Sequence, residues 1–234
     1  MRALAKLTTV ESKLLLREPG SLVSVLIPLF FLVVFGSSID ETDTVLMPMG
    51  MSIAVALVGL YLLPTTLASY RERGILRRMS TTPARPGNLL AVQLLLQLVL
   101  LLAATAMQLG VAVGVLGLRT PAGALPVAVV FALGTAAMFA IGLLIAALAP
   151  TGRSANGIGV LLYFPMAYLA GLIQPVDAMP ASLARIGEYT PLGAFRTGLH
   201  QAWAGQTPDL LPLILLAAYT IVLSAVAARC FRWE

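Results

Sequence analysis

Six long apolar runs decide what this chain can fold into. They cover about 21–39, 47–69, 89–118, 122–149, 154–174 and 209–228, and none holds an Asp, Glu, Lys, Arg or His in its interior. A helix needs about 20 such residues to cross the hydrocarbon of a bilayer. Lipid offers no partner to a bare peptide group, so each run is expected to close its own backbone hydrogen bonds as a helix. Hydrophobic residues make up 59% of the 234 and charged ones 11%, against about half and a quarter in soluble domains. The expected fold class is all-α: a polytopic membrane protein with six transmembrane helices.

The segments between the runs orient them. Lys and Arg collect on the cytoplasmic side of membrane helices. Residues 70–88 carry Arg71, Arg73, Arg77, Arg78 and Arg85, whereas the loop after the first run carries Asp40, Glu41 and Asp43 and no base. With 70–88 inside, Arg2, Lys6, Lys13, Arg17, Arg153, Arg229 and Arg232 also fall inside. Only Arg119, Arg185 and Arg196 of the 15 basic residues fall outside. Both termini are then cytoplasmic. Because the bases sit next to apolar spans, the net charge of +5 points to anionic lipid rather than nucleic acid.

Several chemistries are excluded early. One cysteine, Cys230, and one histidine, His200, leave no disulfide and no multi-histidine or cysteine metal cluster within the chain. No GxSxG elbow is present, and a Ser–His pair would have to use His200, read instead as an interfacial polar residue. No GxxxxGK[ST] phosphate loop occurs, and Lys6 and Lys13, the only lysines, follow no glycine-rich turn. If ATP drives this protein, another chain binds it. Charge-free span interiors argue against proton- or sodium-coupled carriage, because ionisable groups kept in a membrane mainly serve function.

Three further segments carry pattern. Residues 1–20 read as an amphipathic interfacial helix, with Leu4, Leu7, Val10 and Leu14 opposite Arg2, Lys6, Lys13 and Arg17. In the third run, Gln93, Gln97, Ala104 and Gln108 fall on one side of the helical wheel. An unpaired amide in lipid is costly, so this seam either bonds to another helix or lines a polar path. Gly110 and Gly114 in the same run permit close helix approach. Residues 175–208 are expected to form two short helices on the outer side. The first, Pro180–Ile186, has Pro at its first position and Gly187 past its end. The second starts at Thr190-Pro191 and carries the apolar stripe Leu192, Phe195, Leu199 and Trp203.

The basic segment is more ordered than a connector requires. Arg71–Thr81 can form about three turns of helix, which Pro83 and Pro86 would end. Arg73 and Arg77 lie four apart with like charge, which disfavours an isolated helix, and Glu72 is about 140° round the helix from Arg77. An acidic groove on a partner would relieve this.

The stretch Tyr70-Arg71-Glu72-Arg73-Gly74-Ile75-Leu76-Arg77-Arg78, followed by Thr82-Pro83, resembles the ERExGTLRRL…TP segment of type 2 ABC exporter permeases. Pro175, Met179-Pro180 and Tyr189-Thr190-Pro191-Leu192 resemble that family's outer re-entrant segment, and 1–20 its interfacial connector. Tyr70 departs from the acidic residue frequent there. The resemblance spans almost the whole chain. It implies a non-catalytic permease, paired with a second copy or a related permease and with two ABC ATPase subunits that hold ATP and Mg. It implies ATPase coupling through Glu72, Arg73, Gly74, Arg77 and Arg78, with no cofactor in this chain, and a multi-pass place in a bacterial cytoplasmic membrane. Its functions include drug efflux, and with it antibiotic resistance. Charge-free spans favour a lipophilic or amphiphilic cargo, whether drug-like, lipid or glycan, on a path that can include Gln93, Gln97 and Gln108. A membrane-embedded enzyme or a structural subunit of another membrane complex is the competing reading.

Overall fold

The computed structural model describes residues 12, 18–37, 40, 42–75 and 86–230. Most of the expected interfacial helix at 1–20 lies outside the described residues. The helices are α1 Pro19–Gly36, α2 Leu46–Glu72, α3 Pro86–Gly114, α4 Ala124–Leu148, α5 Gly152–Leu169, α6 Ala181–Tyr189, α7 Pro191–Trp203 and α8 Leu210–Cys230. Among the described residues there is no strand.

Among the described residues, four helices are long and apolar enough to cross a membrane: α2, α3 from Gly87, α4 and α8. The first expected span has only 17 apolar helical residues, Gly20–Gly36. The fifth stops at Leu169, five residues early, because Gly171 turns the chain at a φ of 75°. At about 1.5 Å per residue, the 29 residues of α3 exceed the ~30 Å hydrocarbon, so this helix tilts or protrudes, as its run length predicts. The expected helix end at Pro83 lies outside the described residues, and Pro86 occupies the first position of α3, where a missing N–H costs nothing.

The core is built around α2, whose apolar window is 83% buried, against 17% for α8. Helix α1 packs on α2 and α3, α5 and α4 flank the C-terminal half of α2, and α8 lies on the far side of α4. Midway, Val58–Leu62 is wound as a π-helix, a form that needs a local cause. Pro64 supplies it: lacking an N–H, it cannot bond the carbonyl of Leu60, and the ladder shifts.

The hairpin α6–α7 is packed rather than free. Thr190 caps α7, its Oγ accepting from the Gly193 N–H at 3.1 Å, with Pro191 in the first turn. Leu192, Phe195, Leu199 and Trp203 are all buried, against α4, α2 and α8. The preceding helix differs from expectation. It begins after Pro180 and runs through Gly187 to Tyr189. Gly187 does not terminate it, because its role is contact: a methyl there would overlap the Leu169 carbonyl at the end of α5. Gly110 and Gly114 meet nothing within 4 Å among the described residues, so their spacing brings no close helix approach there.

Candidate functional site

Three places hold polar groups that an apolar fold would not need. The first is the C-terminal end of α2. This helix continues through Arg71 and Glu72 and then breaks, since Gly74 adopts a φ of 67°. The Arg73 and Gly74 N–H groups close the end on the Ser69 and Arg71 carbonyls at 3.0 and 2.9 Å, a left-handed glycine termination. The expected helix from Arg71 to Thr81 is thereby divided, with Arg71 and Glu72 on α2. Glu72, Arg73 and Gly74 stand together at its mouth, and Arg77 and Arg78 lie outside the described residues.

Glu72 is not free for a partner alone. Its Oε2 accepts from the Gly152 N–H at 3.0 Å. Arg71, a member of the basic segment to which the sequence assigned no role, reaches the same turn. Its Nη1 donates to the Ala147 carbonyl at 3.0 Å, and its Nη2 donates to that of Ala149. Arg73 is exposed and faces Glu18 at the start of α1; with Thr66, Ser69 and Tyr70 they line a recess of about 220 Å³. Burial raises the Glu18 carboxyl above the usual carboxylate range, and Arg73 and then Thr66 act the other way. A cavity of about 720 Å³ opens beside Arg71, lined also by Glu72, Ala147, Pro150 and Arg229.

The second place is the glutamine seam. Gln93, Gln97 and Gln108 are 2%, 0% and 1% exposed, so the wheel correctly turned them away from lipid. Gln108 lies against Gly50 of α2, where a Cβ would stand 2.6 Å from its Oε1. Both polar atoms of Gln97 and of Gln108 are buried without a hydrogen-bond partner among the described residues. None of the five cavities described is lined by these glutamines.

The third place lies around α7 and the N-terminal end of α2. Arg196 of α7 borders two cavities, of about 460 and 630 Å³, and its Nε is buried and unbonded. Desolvation lowers its pKa and Asp177 raises it in part. His200, one turn on, lies 3.4 Å from Thr44 Oγ1. Burial, then Arg196, holds its pKa below the ordinary value, with Asp43 opposing. Asp43 itself caps α2, its Oδ2 accepting from the Val45 and Leu46 N–H groups at 3.0 and 2.7 Å. Sequence reasoning used Arg196 only as an outside charge. A signal was there: Arg196 adjoins Phe195 and lies three before Leu199, so the wheel places it at the edge of the buried stripe.

No metal chemistry is indicated by the described residues, among which no group of three or more His, Cys, Asp or Glu could hold an ion. At the first of the three places, polar side chains bind helix ends to one another. The model of the ABC-2 type transporter family matches residues 2–202. Comparison with curated proteins found no match.

Proposed function

Because the chain belongs to the ABC-2 type transporter family, we propose that it is the permease of an ATP-driven exporter of a lipophilic or amphiphilic substrate. That substrate is drug-like, a lipid or a glycan. The family is the membrane component of ABC transporters, and the chain is a multi-pass membrane protein of that kind. In this reading a separate ATPase, with ATP and Mg, docks on 70–88 through Glu72, Arg73, Gly74, Arg77 and Arg78. Two permeases, two copies of this chain or this chain with a relative, stand beside two ATPases. Six crossings, including the short α1 and α5, place both termini in the cytoplasm of a bacterial inner membrane. The hairpin α6–α7 lies re-entrant at the outer face, and the seam of Gln93, Gln97 and Gln108 contributes to the path.

One observation carries this: the basic segment is attached directly to α2, the most buried of the four long helices. A pull on that segment reaches the centre of the protein, whereas a loop that only sets topology needs no such attachment. The test is Arg77→Glu with Arg78→Glu in the chain co-expressed with its ATPase. Retention of the ATPase on the purified permease should fall at least about tenfold at physiological salt, with insertion unchanged. Normal ATPase retention and normal export in this variant would overturn the docking reading.

A further inference from the structure

The α4–α5 turn leaves two sets of backbone groups without helical partners, the last carbonyls of α4 and the first N–H groups of α5. Adjacent residues of α2 serve both. The Arg71 guanidinium donates to the Ala147 and Ala149 carbonyls, and the Glu72 carboxylate accepts from the Gly152 N–H. Each charge also matches the helix end it meets, the cation at the C-terminus and the anion at the N-terminus. The planar fork of an arginine suits two carbonyls in a way that a lysine cannot.

Capping alone does not explain this. Thr151 and Ser154 already cap α5 reciprocally, with bonds of 3.1 Å in both directions. The contribution specific to Arg71 and Glu72 is a tie between helices. It is made in the last turn before Gly74, where the chain leaves α2 for the basic segment. The tie continues along the helices. A Cβ on Gly152 would overlap Ser69 Oγ, one on Gly142 the Gly59 carbonyl, and one on Gly159 the Leu60 carbonyl. At all three points backbone meets α2 more closely than a side chain allows, and two of the three fall on its π-helical segment.

We propose that Arg71 and Glu72 are a clamp that makes α2, α4 and α5 move as one body when the basic segment is pulled, so that the ATPase stroke enters the membrane through three helices rather than one. This deepens the docking reading above and rests on it. Arg71 is a positioning residue, acting through the α4–α5 turn.

The experiment uses the permease purified with its ATPase, with Cys230→Ser as background and Ser69→Cys with Gly152→Cys as a reporter. An ideal Cβ on Gly152 stands 3.3 Å from Ser69 Cβ, within a few tenths of an ångström of what a disulfide needs. If the clamp holds, the cross-link forms equally with ADP and after trapping with ATP and vanadate. Arg71→Met should make the yield fall several-fold in the trapped state, and Arg71→Lys, which keeps the charge without the fork, should lie between. Where Arg71→Met fails to insert, Arg71→Gln, which keeps a donor without the charge or the fork, carries the same comparison. A cross-link lost on trapping without any clamp substitution would overturn the proposal, as would one indifferent to both substitutions. Absence of any co-purifying ATPase would strike the docking reading instead. The clamp is then decided in the permease alone, where Arg71→Met should slow cross-linking and an unchanged rate would overturn it.

Discussion

The seat of Phe195 on Gly134 gives a quantitative test of whether the α6–α7 hairpin is part of the packed protein. Phe195 is fully buried, its ring fills the notch left by Gly134 on α4, and its centroid lies 6.3 Å from that of Phe131. Phe195→Ala removes about 100 Å³, which at about 24 cal/mol per Å³ of void comes to about 2.4 kcal/mol. The transfer contribution is smaller than in a soluble core, because lipid tails are themselves apolar. The total loss is therefore expected at about 2–4 kcal/mol. Gly134→Ala places a methyl into the ring and should cost about 1–3 kcal/mol by overpacking. In the double variant that methyl enters the void left by the ring, so the combined loss should fall short of the sum by about 1–3 kcal/mol. The assay is reversible unfolding in mixed micelles of mild detergent and dodecyl sulfate, followed by the fluorescence of buried Trp203. Additivity within about 0.5 kcal/mol would mean that the two residues do not touch, and would refute docking of α7 on α4.

Three other expectations are open to direct measurement. Cys230, half-buried at the end of α8, should react with a membrane-impermeant thiol reagent only from the cytoplasmic side. A cysteine replacing exposed Thr42 should react from outside intact cells, and the reverse pattern would overturn the orientation. Gln97→Leu removes a buried amide that no group among the described residues satisfies, a cost of about 1–3 kcal/mol in place. It should therefore leave the permease at least as stable while changing which fluorescent lipophilic dyes are exported; unchanged export of every dye would remove the seam from the path. Because the folded pKa of His200 lies below its ordinary value of 6.5, the unfolded chain takes up the proton first. Stability should therefore be full above about pH 6.5, fall as pH drops toward the folded pKa, and level off below it. Unfolding midpoints should lose this slope in His200→Gln, and an unaltered slope would assign it to another group.

Much of the architecture was legible before any coordinates. Uninterrupted apolar runs have few solutions in lipid, and a helix falls on each of the six runs, four of them long and apolar enough to cross a membrane among the described residues. Thr190 and Pro191 marked the start of α7 through purely local chemistry, a side-chain acceptor followed by a residue with no N–H to lose. The wheel placed the glutamines correctly, because facing inward depends only on a helix's own period. Local rules failed where a glycine had two competing uses. Gly187 looked like a helix end and proved to be a contact with the Leu169 carbonyl. Gly74 looked like one residue among many in a helix and proved to be its end.

What this sequence determined alone is a helical membrane protein of the ABC-2 type transporter family, with its charge gathered between the second and third runs. The tertiary structure decided which groups meet. Arg71 and Glu72 find Ala147, Ala149 and Gly152 across some 80 residues of chain, and Gln108 finds Gly50 across 58. The pattern of one helix records its own period and its own caps. It does not record the carbonyls of another helix's end, because every backbone carries the same ones. Their partner is chosen only when packing sets two termini side by side.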